Sequence, residues 1–131
     1  MDSIAFGYTI LFVESVPNTL AFFERAFGLA TRFLHPAGDY GELQTGATRL
    51  AFTSHELAST AVPFDYHASS PSAPLGMEIT LTTRDVDGAF ARALQAGATK
   101  LSDPVDKPWG QRVAYVMTPN GIGVGLTSPL T

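Results

Sequence analysis

The chain has 131 residues, of which 45% are hydrophobic and 15% charged, with a net charge of −4 and no cysteine. This length suits one domain with a buried core, and the missing cysteines exclude disulfides and thiolate chemistry. No run of Lys and Arg offers a surface to nucleic acid or an anionic membrane, and no apolar run is long enough to span a bilayer. We therefore expect a globular, cytoplasmic protein, and the acidic balance mildly favours a cationic ligand.

A strand and a capped helix are the first predicted elements. Alternating residues from Tyr8 lead into Ser15, a favoured N-cap residue, with Pro17 in the first turn and Gly28 as the stop. Apolar residues at helical spacing between them predict a helix that covers a sheet with one face. Three strand-like runs follow, separated by turn residues: ATRFLH, YGELQ and TRLAFTS.

The same order of elements returns in the second half of the chain. A strand from Glu78 precedes a helix capped by Asp85 and ended by Gly97, and the runs ATKLSD, RVAYVM and IGVGLTS come next, with a turn predicted at 104–110. Segment 55–76, rich in Pro, Ser and Ala, is predicted to be a connecting loop. The prediction is a single domain over 1–131, with one βαβββ module at about 4–54 and another at about 77–129, because neither module could bury its helix and sheet alone.

The paired modules resemble a known superfamily. ESVPNTLAFFERAFGL beside RDVDGAFARALQAGA, and the closing PWGQRVAYVMTPNGIGVGL, are similar to the vicinal oxygen chelate group of glyoxalase I, extradiol dioxygenases, fosfomycin-resistance enzymes and bleomycin-resistance proteins. The resemblance implies an α+β fold whose two modules form a curved mixed sheet around a cleft, and a homodimer. In the enzymes it also implies a divalent metal held by the first and last strands of each module.

The metal-ligand positions that the resemblance implies fall on Tyr8, Ala51, Glu78 and Gly125. The internal repeat supports this placement, because Tyr8 and Glu78 each lie eight residues before a valine of the helix that follows. A catalytic divalent ion needs two or three convergent His or carboxylate ligands and an open position. Only Glu78 supplies one, so we expect no metal and no other cofactor.

Glycines at alternate positions of the last strand suggest that something other than a side chain needs their space. We expect them to leave room for a ligand, with the indole of Trp109 stacking on it. Two alternatives stay open: Glu78 forms a structural ion pair with Arg49 or Arg112, and Trp109 packs on its own hairpin or on a dimer partner. The predicted ligand-binding residues are Tyr8, Ala51, Glu78, Trp109, Arg112, Gly123 and Gly125.

These residues predict a metal-free protein that binds and sequesters a hydrophobic or aromatic, antibiotic-type small molecule, as the resemblance to bleomycin-resistance proteins implies. The alternative is a divergent lyase, isomerase or dioxygenase in which Glu78 is a metal ligand, together with His67, or acts alone as a base. A third interpretation is a vestigial cleft without a ligand. The segment PFDYH, which ends at His67, is a candidate lid.

Overall fold

The computed structural model describes residues 2–130, and its strands form two four-stranded mixed sheets of one plan. The elements are β1 (Tyr8–Val13), α1 (Val16–Phe27), β2 (Thr31–Leu34), β3 (Tyr40–Leu43), β4 (Arg49–Ser54), α2 (His55–Ala61), β5 (Glu78–Thr82), α3 (Val86–Gln95), β6 (Thr99–Asp106), β7 (Arg112–Met117) and β8 (Gly123–Thr127). The predicted α+β fold of two βαβββ modules is confirmed. The strand orders of the two sheets are β1-β4-β3-β2 and β5-β8-β7-β6, with the first and last strands of each module parallel and the other neighbours antiparallel.

The chain divides into two compact units. The first ends at Tyr66 and the second begins at His67, except that the short segment Arg25–Phe27 groups with the second unit. The division thus falls inside the segment predicted to connect the modules. Within residues 2–130, none of the helices has the length and apolarity needed to cross a bilayer.

In the first unit, α1 begins and ends where the sequence predicts. The Ser15 side chain accepts a hydrogen bond from the backbone N–H of Asn18, and Gly28 adopts the left-handed conformation that ends the helix. Phe23 of α1 is fully buried, with its ring 5.1 Å from that of Phe52 in β4. The helix therefore covers one face of the first sheet, and we call the opposite face, which carries Tyr8, Ile10, Glu42, Arg49 and Ala51, the distal face of the first sheet.

In the second unit, the Asp85 side chain caps α3 by accepting a hydrogen bond from the N–H of Gly88. An ion pair ties this helix to its sheet: Arg112 Nε of β7 lies 2.9 Å from Asp87 Oδ1 of α3. Because side chains alternate along a strand, Tyr115 of β7 lies on the other face. We call that face, which carries Glu78, Thr80, Tyr115, Gly123 and Gly125, the distal face of the second sheet.

Two elements differ from the sequence prediction. Helix α2 lies inside segment 55–76, which was expected to be a loop; the Ser54 side chain caps it by accepting from the N–H of Leu57, and Ala58 is fully buried. Strand β6 continues through Pro104, where a turn was expected to begin. Proline is tolerated there because β6 is an edge strand whose pairing shifts between Ser102 and Val105, so no ladder hydrogen bond is lost.

Candidate functional site

Aromatic and apolar side chains are exposed on the distal face of the first sheet. Tyr8 is 48% and Ile10 43% exposed, on the edge strand β1. Ala51 lies beside them in β4, paired with Ile10 and fully buried. Tyr8 and Ala51, two of the predicted site residues, thus share one face, and Ala51 contributes only a methyl group to it.

The same face also carries a polar cluster, at the centre of which lies the buried carboxylate of Glu42. Glu42 of β3 is only 6% exposed, yet three polar side chains surround it. Its Oε1 accepts from Arg32 Nη1 at 2.9 Å, and its Oε2 accepts from the Tyr40 hydroxyl at 2.8 Å. Arg49 Nε lies 3.6 Å from the same Oε1, close enough for an ion pair but too far for a hydrogen bond.

The phenol of Tyr40 is held in its protonated form by this environment. Burial is the main cause, and the hydrogen bond donated to Glu42 adds to it; together they raise the pKa of Tyr40 to about 12. At neutral pH, Tyr40 is therefore a permanent hydrogen-bond donor to Glu42. The carboxylate has both oxygens occupied, which is how a buried charge is normally stabilised.

The cluster around Glu42 was not predicted from the sequence. Arg49 was one of two candidate partners for Glu78, whereas the structure pairs Arg49 with Glu42. The alternation of Tyr40 and Glu42 in the run YGEL does place both side chains on one face of a strand. What no local pattern shows is that Arg32 and Arg49, from the two neighbouring strands, converge on the middle one.

In the second unit, the space beside Gly125 is occupied. A Cβ added there would lie 2.7 Å from Glu78 Oε2 and 3.2 Å from Tyr115 Cε1. Glu78 is held over the glycine by the Thr80 hydroxyl, which donates to Oε2 at 2.6 Å. The space that was expected to hold a ligand beside Gly125 is therefore taken up in this structure by two neighbouring side chains. At Gly123 the space is open, since an added Cβ would meet only the Met77 carbonyl at 3.7 Å.

The other two predicted site residues of this unit, Trp109 and Arg112, lie away from Glu78 and Gly125. Trp109 is 61% exposed in the turn between β6 and β7, and its Nε1–H donates to Gln111 Oε1 at 2.8 Å, within its own hairpin. Arg112 lies on the face covered by α3, where it pairs with Asp87 and with Asp106 at 3.1 Å. It does not join Glu78 and Gly125 on the distal face, because Arg112 and Tyr115 are three positions apart in β7 and their side chains therefore lie on opposite faces of the sheet.

The candidate lid packs against the first unit. The Tyr66 and Phe64 rings lie 4.8 Å and 6.5 Å from the ring of Phe12 in β1, and the Tyr66 hydroxyl is 2.7 Å from His55 Nδ1. Beside them, α2 and residues 62–66 line an open groove of about 600 Å³. His67, the next residue, is exposed, and the described hydrogen bond of Glu78 is made by Thr80 rather than by His67.

The donor atoms present do not fit the metal site that the resemblance implies. Of the four positions concerned, Ala51 and Gly125 offer no donor atom, and the Tyr8 hydroxyl accepts from Arg49 Nη1 at 3.4 Å. In the described part of the chain, residues 2–130, no group of three or more His, Cys, Asp or Glu side chains could hold a metal ion. A lone carboxylate falls short of the two or three ligands that a catalytic divalent ion needs.

The family is established by comparison with known proteins. The model of the Glyoxalase/Bleomycin resistance protein/Dioxygenase superfamily matches residues 5–126, so the chain belongs to that superfamily. An uncharacterized protein of Mycobacterium bovis is 31% identical over 123 residues, which cover 92% of this chain and 80% of that protein. An uncharacterized protein of Mycobacterium tuberculosis H37Rv is likewise 31% identical over 123 residues, covering 92% of this chain and 72% of that protein.

Solved structures share the fold at lower identity. A glyoxalase-related enzyme from Fulvimarina pelagi matches with a TM-score of 0.82 and 18% identity, covering 98% of this chain and 89% of that one. TioX from Micromonospora sp. ML1 matches with a TM-score of 0.72 and 22% identity, covering 95% and 98%. These structures agree with the two-module α+β architecture, and at such identities they speak to the fold alone.

Proposed function

We propose that this protein binds and sequesters a small hydrophobic or aromatic compound of the antibiotic type, without a metal and without changing the compound. One observation carries the proposal: of the four metal-ligand positions that the resemblance implies, Ala51 and Gly125 have no side-chain donor atom. The superfamily includes bleomycin-resistance proteins by name, which supports a binding role for a member whose residues do not suit metal chemistry.

Exposed aromatic side chains in each unit support this proposal. Tyr8 presents half of its surface on the distal face of the first sheet, and Trp109 presents more than half of its surface in the β6–β7 turn. Large flat side chains bind aromatic compounds at low conformational cost. The open space at Gly123 gives the distal face of the second sheet a position where a ligand could approach the backbone.

The test is calorimetric titration of the untagged protein with a panel of planar aromatic antibiotics, and separately with nickel, zinc, manganese and ferrous iron. We expect saturable binding of at least one compound, and mass spectrometry of the released compound should show an unchanged mass. We expect no stoichiometric binding of any metal. Trp109 fluorescence gives a second readout, with Trp109→Phe as its control. A tightly bound stoichiometric metal, or a panel without any binder, would contradict the proposal.

The second candidate is an enzyme that uses Glu78 as a base. A structural relative from Fulvimarina pelagi is described as a glyoxalase-related enzyme, and Glu78 is an exposed carboxylate directed over a backbone that lacks a side chain at Gly125. Such a base could take a proton from a substrate that lies on this face. The version with Glu78 as a metal ligand lacks the further donors described above.

Glu78→Gln distinguishes the two candidates. If the enzyme proposal is correct, this variant loses turnover while its circular dichroism and thermal midpoint are unchanged, and Glu14→Gln, which removes an exposed carboxylate elsewhere, keeps it. Turnover that survives in Glu78→Gln would refute the enzyme proposal. If the binding proposal is correct, no substrate of glyoxalase or dioxygenase type is consumed by the wild type.

We also propose that the protein is a homodimer. Ile4 and Phe6 are 98% and 71% exposed near the start of the chain, and a second copy that covered them would remove this apolar surface from water. Light scattering coupled to size exclusion tests this, and a monomer at micromolar concentration would contradict it. The cytoplasmic location expected from the sequence stays a prediction.

A further inference from the structure

Arg49 is the least satisfied charged group on the distal face of the first sheet. Its Nε is buried, and among residues 2–130 it has no hydrogen-bond partner. Its Nη1 donates only one long hydrogen bond, to the Tyr8 hydroxyl at 3.4 Å. Buried donors of this kind are almost always paired in native proteins, so an unpaired one calls for a physical reason.

The nearby carboxylate does not supply the missing partner. Glu42 already accepts short hydrogen bonds from Arg32 and Tyr40, one on each oxygen. Two guanidinium groups therefore face one carboxylate, and the cluster carries a surplus positive charge. Since Arg32 makes the short contact at 2.9 Å and Arg49 the longer one at 3.6 Å, the surplus is on Arg49.

An exposed apolar surface lies next to this charge. The Arg49 guanidinium carbon lies over the Tyr8 ring, 5.7 Å from its centre, and the Arg49 side chain keeps 29% of its surface exposed. Because Nε is buried, a ligand contacts Arg49 through the rest of its guanidinium group. Ile10 continues the apolar surface along β1. A flat aromatic face beside an incompletely paired guanidinium matches a ligand that has a ring at one end and an anion at the other.

We propose that the distal face of the first sheet recognises an aromatic carboxylate, whose carboxylate binds Arg49 and whose ring lies on Tyr8 and Ile10. Arg32 and Tyr40 act as positioning residues, because they donate to both oxygens of Glu42 and leave Arg49 without a short hydrogen bond to that carboxylate. The inference rests on the proposed binding function and adds the charge of the ligand. It reverses the mild preference for a cation that the net charge of −4 suggested, since the local charge of the cluster is positive.

The experiment compares three probes of one ring system by equilibrium dialysis against the full chain: 2-naphthoate, neutral 2-naphthamide and cationic 2-naphthylmethylamine. We expect the wild type to bind naphthoate about tenfold more tightly than naphthamide, because a hydrogen-bonded ion pair adds to the contact of the ring. Naphthylmethylamine should bind most weakly. Affinity for naphthoate should fall as sodium chloride is added, and affinity for naphthamide should not.

Arg49→Gln is the decisive variant, and Arg84→Gln is its control, because Arg84 is an exposed arginine of the second unit and its loss changes the net charge equally. We expect Arg49→Gln to lose the roughly tenfold preference for naphthoate and to bind naphthamide as before, whereas Arg84→Gln behaves as the wild type. If Arg49→Gln does not fold, Arg49→Lys, which keeps the charge but not the planar pair of donors, should lose part of the preference.

The outcomes separate this inference from the proposed function. Wild-type protein that binds naphthamide or naphthylmethylamine as tightly as naphthoate overturns the inference and leaves the binding function standing. An equal effect of Arg49→Gln and Arg84→Gln on naphthoate also overturns it, because net charge alone would then explain the preference. Absence of binding by all three probes counts against the inference and, together with a failed antibiotic panel, against the proposed function.

Discussion

Replacing Gly125 by alanine tests whether Glu78 occupies the space beside that glycine. The new Cβ would lie 2.7 Å from Glu78 Oε2, a distance that real Cβ atoms do not tolerate, and 3.2 Å from the Tyr115 ring. Glu78 is exposed, so its carboxylate can rotate away at the cost of its hydrogen bond from Thr80. The Tyr115 ring must shift by a few tenths of an ångström.

The expected change in the free energy of unfolding is the balance of two effects. Forcing an extra methyl group into a filled space costs about 1–3 kcal/mol. Replacing a strand glycine by alanine returns about 0.4–1 kcal/mol, because the unfolded chain has fewer conformations to lose. We therefore expect Gly125→Ala to be destabilising by about 1 kcal/mol. Gly123→Ala is the matched control and should be neutral or stabilising, since its Cβ meets nothing closer than 3.7 Å.

Urea denaturation of a double-mutant cycle measures the contact itself. In a Glu78→Ala background, the close contact with the carboxylate is gone, so Gly125→Ala should cost less than in the wild type, with a coupling energy of at least about 0.5 kcal/mol. Equal costs in the two backgrounds would refute the assignment of this space to Glu78. A loss of stability in Gly123→Ala as large as in Gly125→Ala would refute the argument from free space.

Three further predictions concern the first unit. Because the pKa of Tyr40 is raised from 10.0 to about 12, the folded state holds the phenol proton more tightly than the unfolded chain does. The stability that this proton contributes is therefore complete below pH 10 and is lost as pH rises toward 12. Tyr40→Phe should lack that loss when denaturation is measured as a function of pH. Gly41→Ala should be destabilising by about 1–3 kcal/mol in urea, since its Cβ would lie 2.7 Å from Leu20 Cδ1 of α1, and a neutral result would contradict the close packing of that helix. Ser15→Ala should cost about 1 kcal/mol through loss of the N-cap, with Ser15→Asp retaining most of the stability; equal losses in both variants would show that the cap is not the cause.

The elements that the sequence predicted well are those with local causes. Ser15 and Gly28 mark the ends of α1 through hydrogen bonds and dihedral angles within a few residues, and the run RVAYVM is β7 without any change of boundary. The missed helix has one local and one non-local cause. Segment 55–76 looked like a loop because of its Pro and Ser content; the cap at Ser54 is a local signal that was overlooked, whereas the burial of Ala58 arises only when α2 packs.

By itself, the sequence determined the two-module plan and which residues of a single strand share a face. Repetition shows the plan, and the two-residue period of a strand places Tyr8 with Ile10 and Gly123 with Gly125. Both can be recognised in the order of the residues, before it is known how the elements pack.

Only the tertiary structure decided which side chains meet on those faces. It assigned Arg49 to Glu42, placed Arg112 under α3, and filled the space beside Gly125 with Glu78. Each of these contacts joins strands or a helix that are distant in sequence, and its partner depends on the register between elements and on which face the helix covers. Residue types and local periodicity do not contain that information, because it arises only when the elements pack.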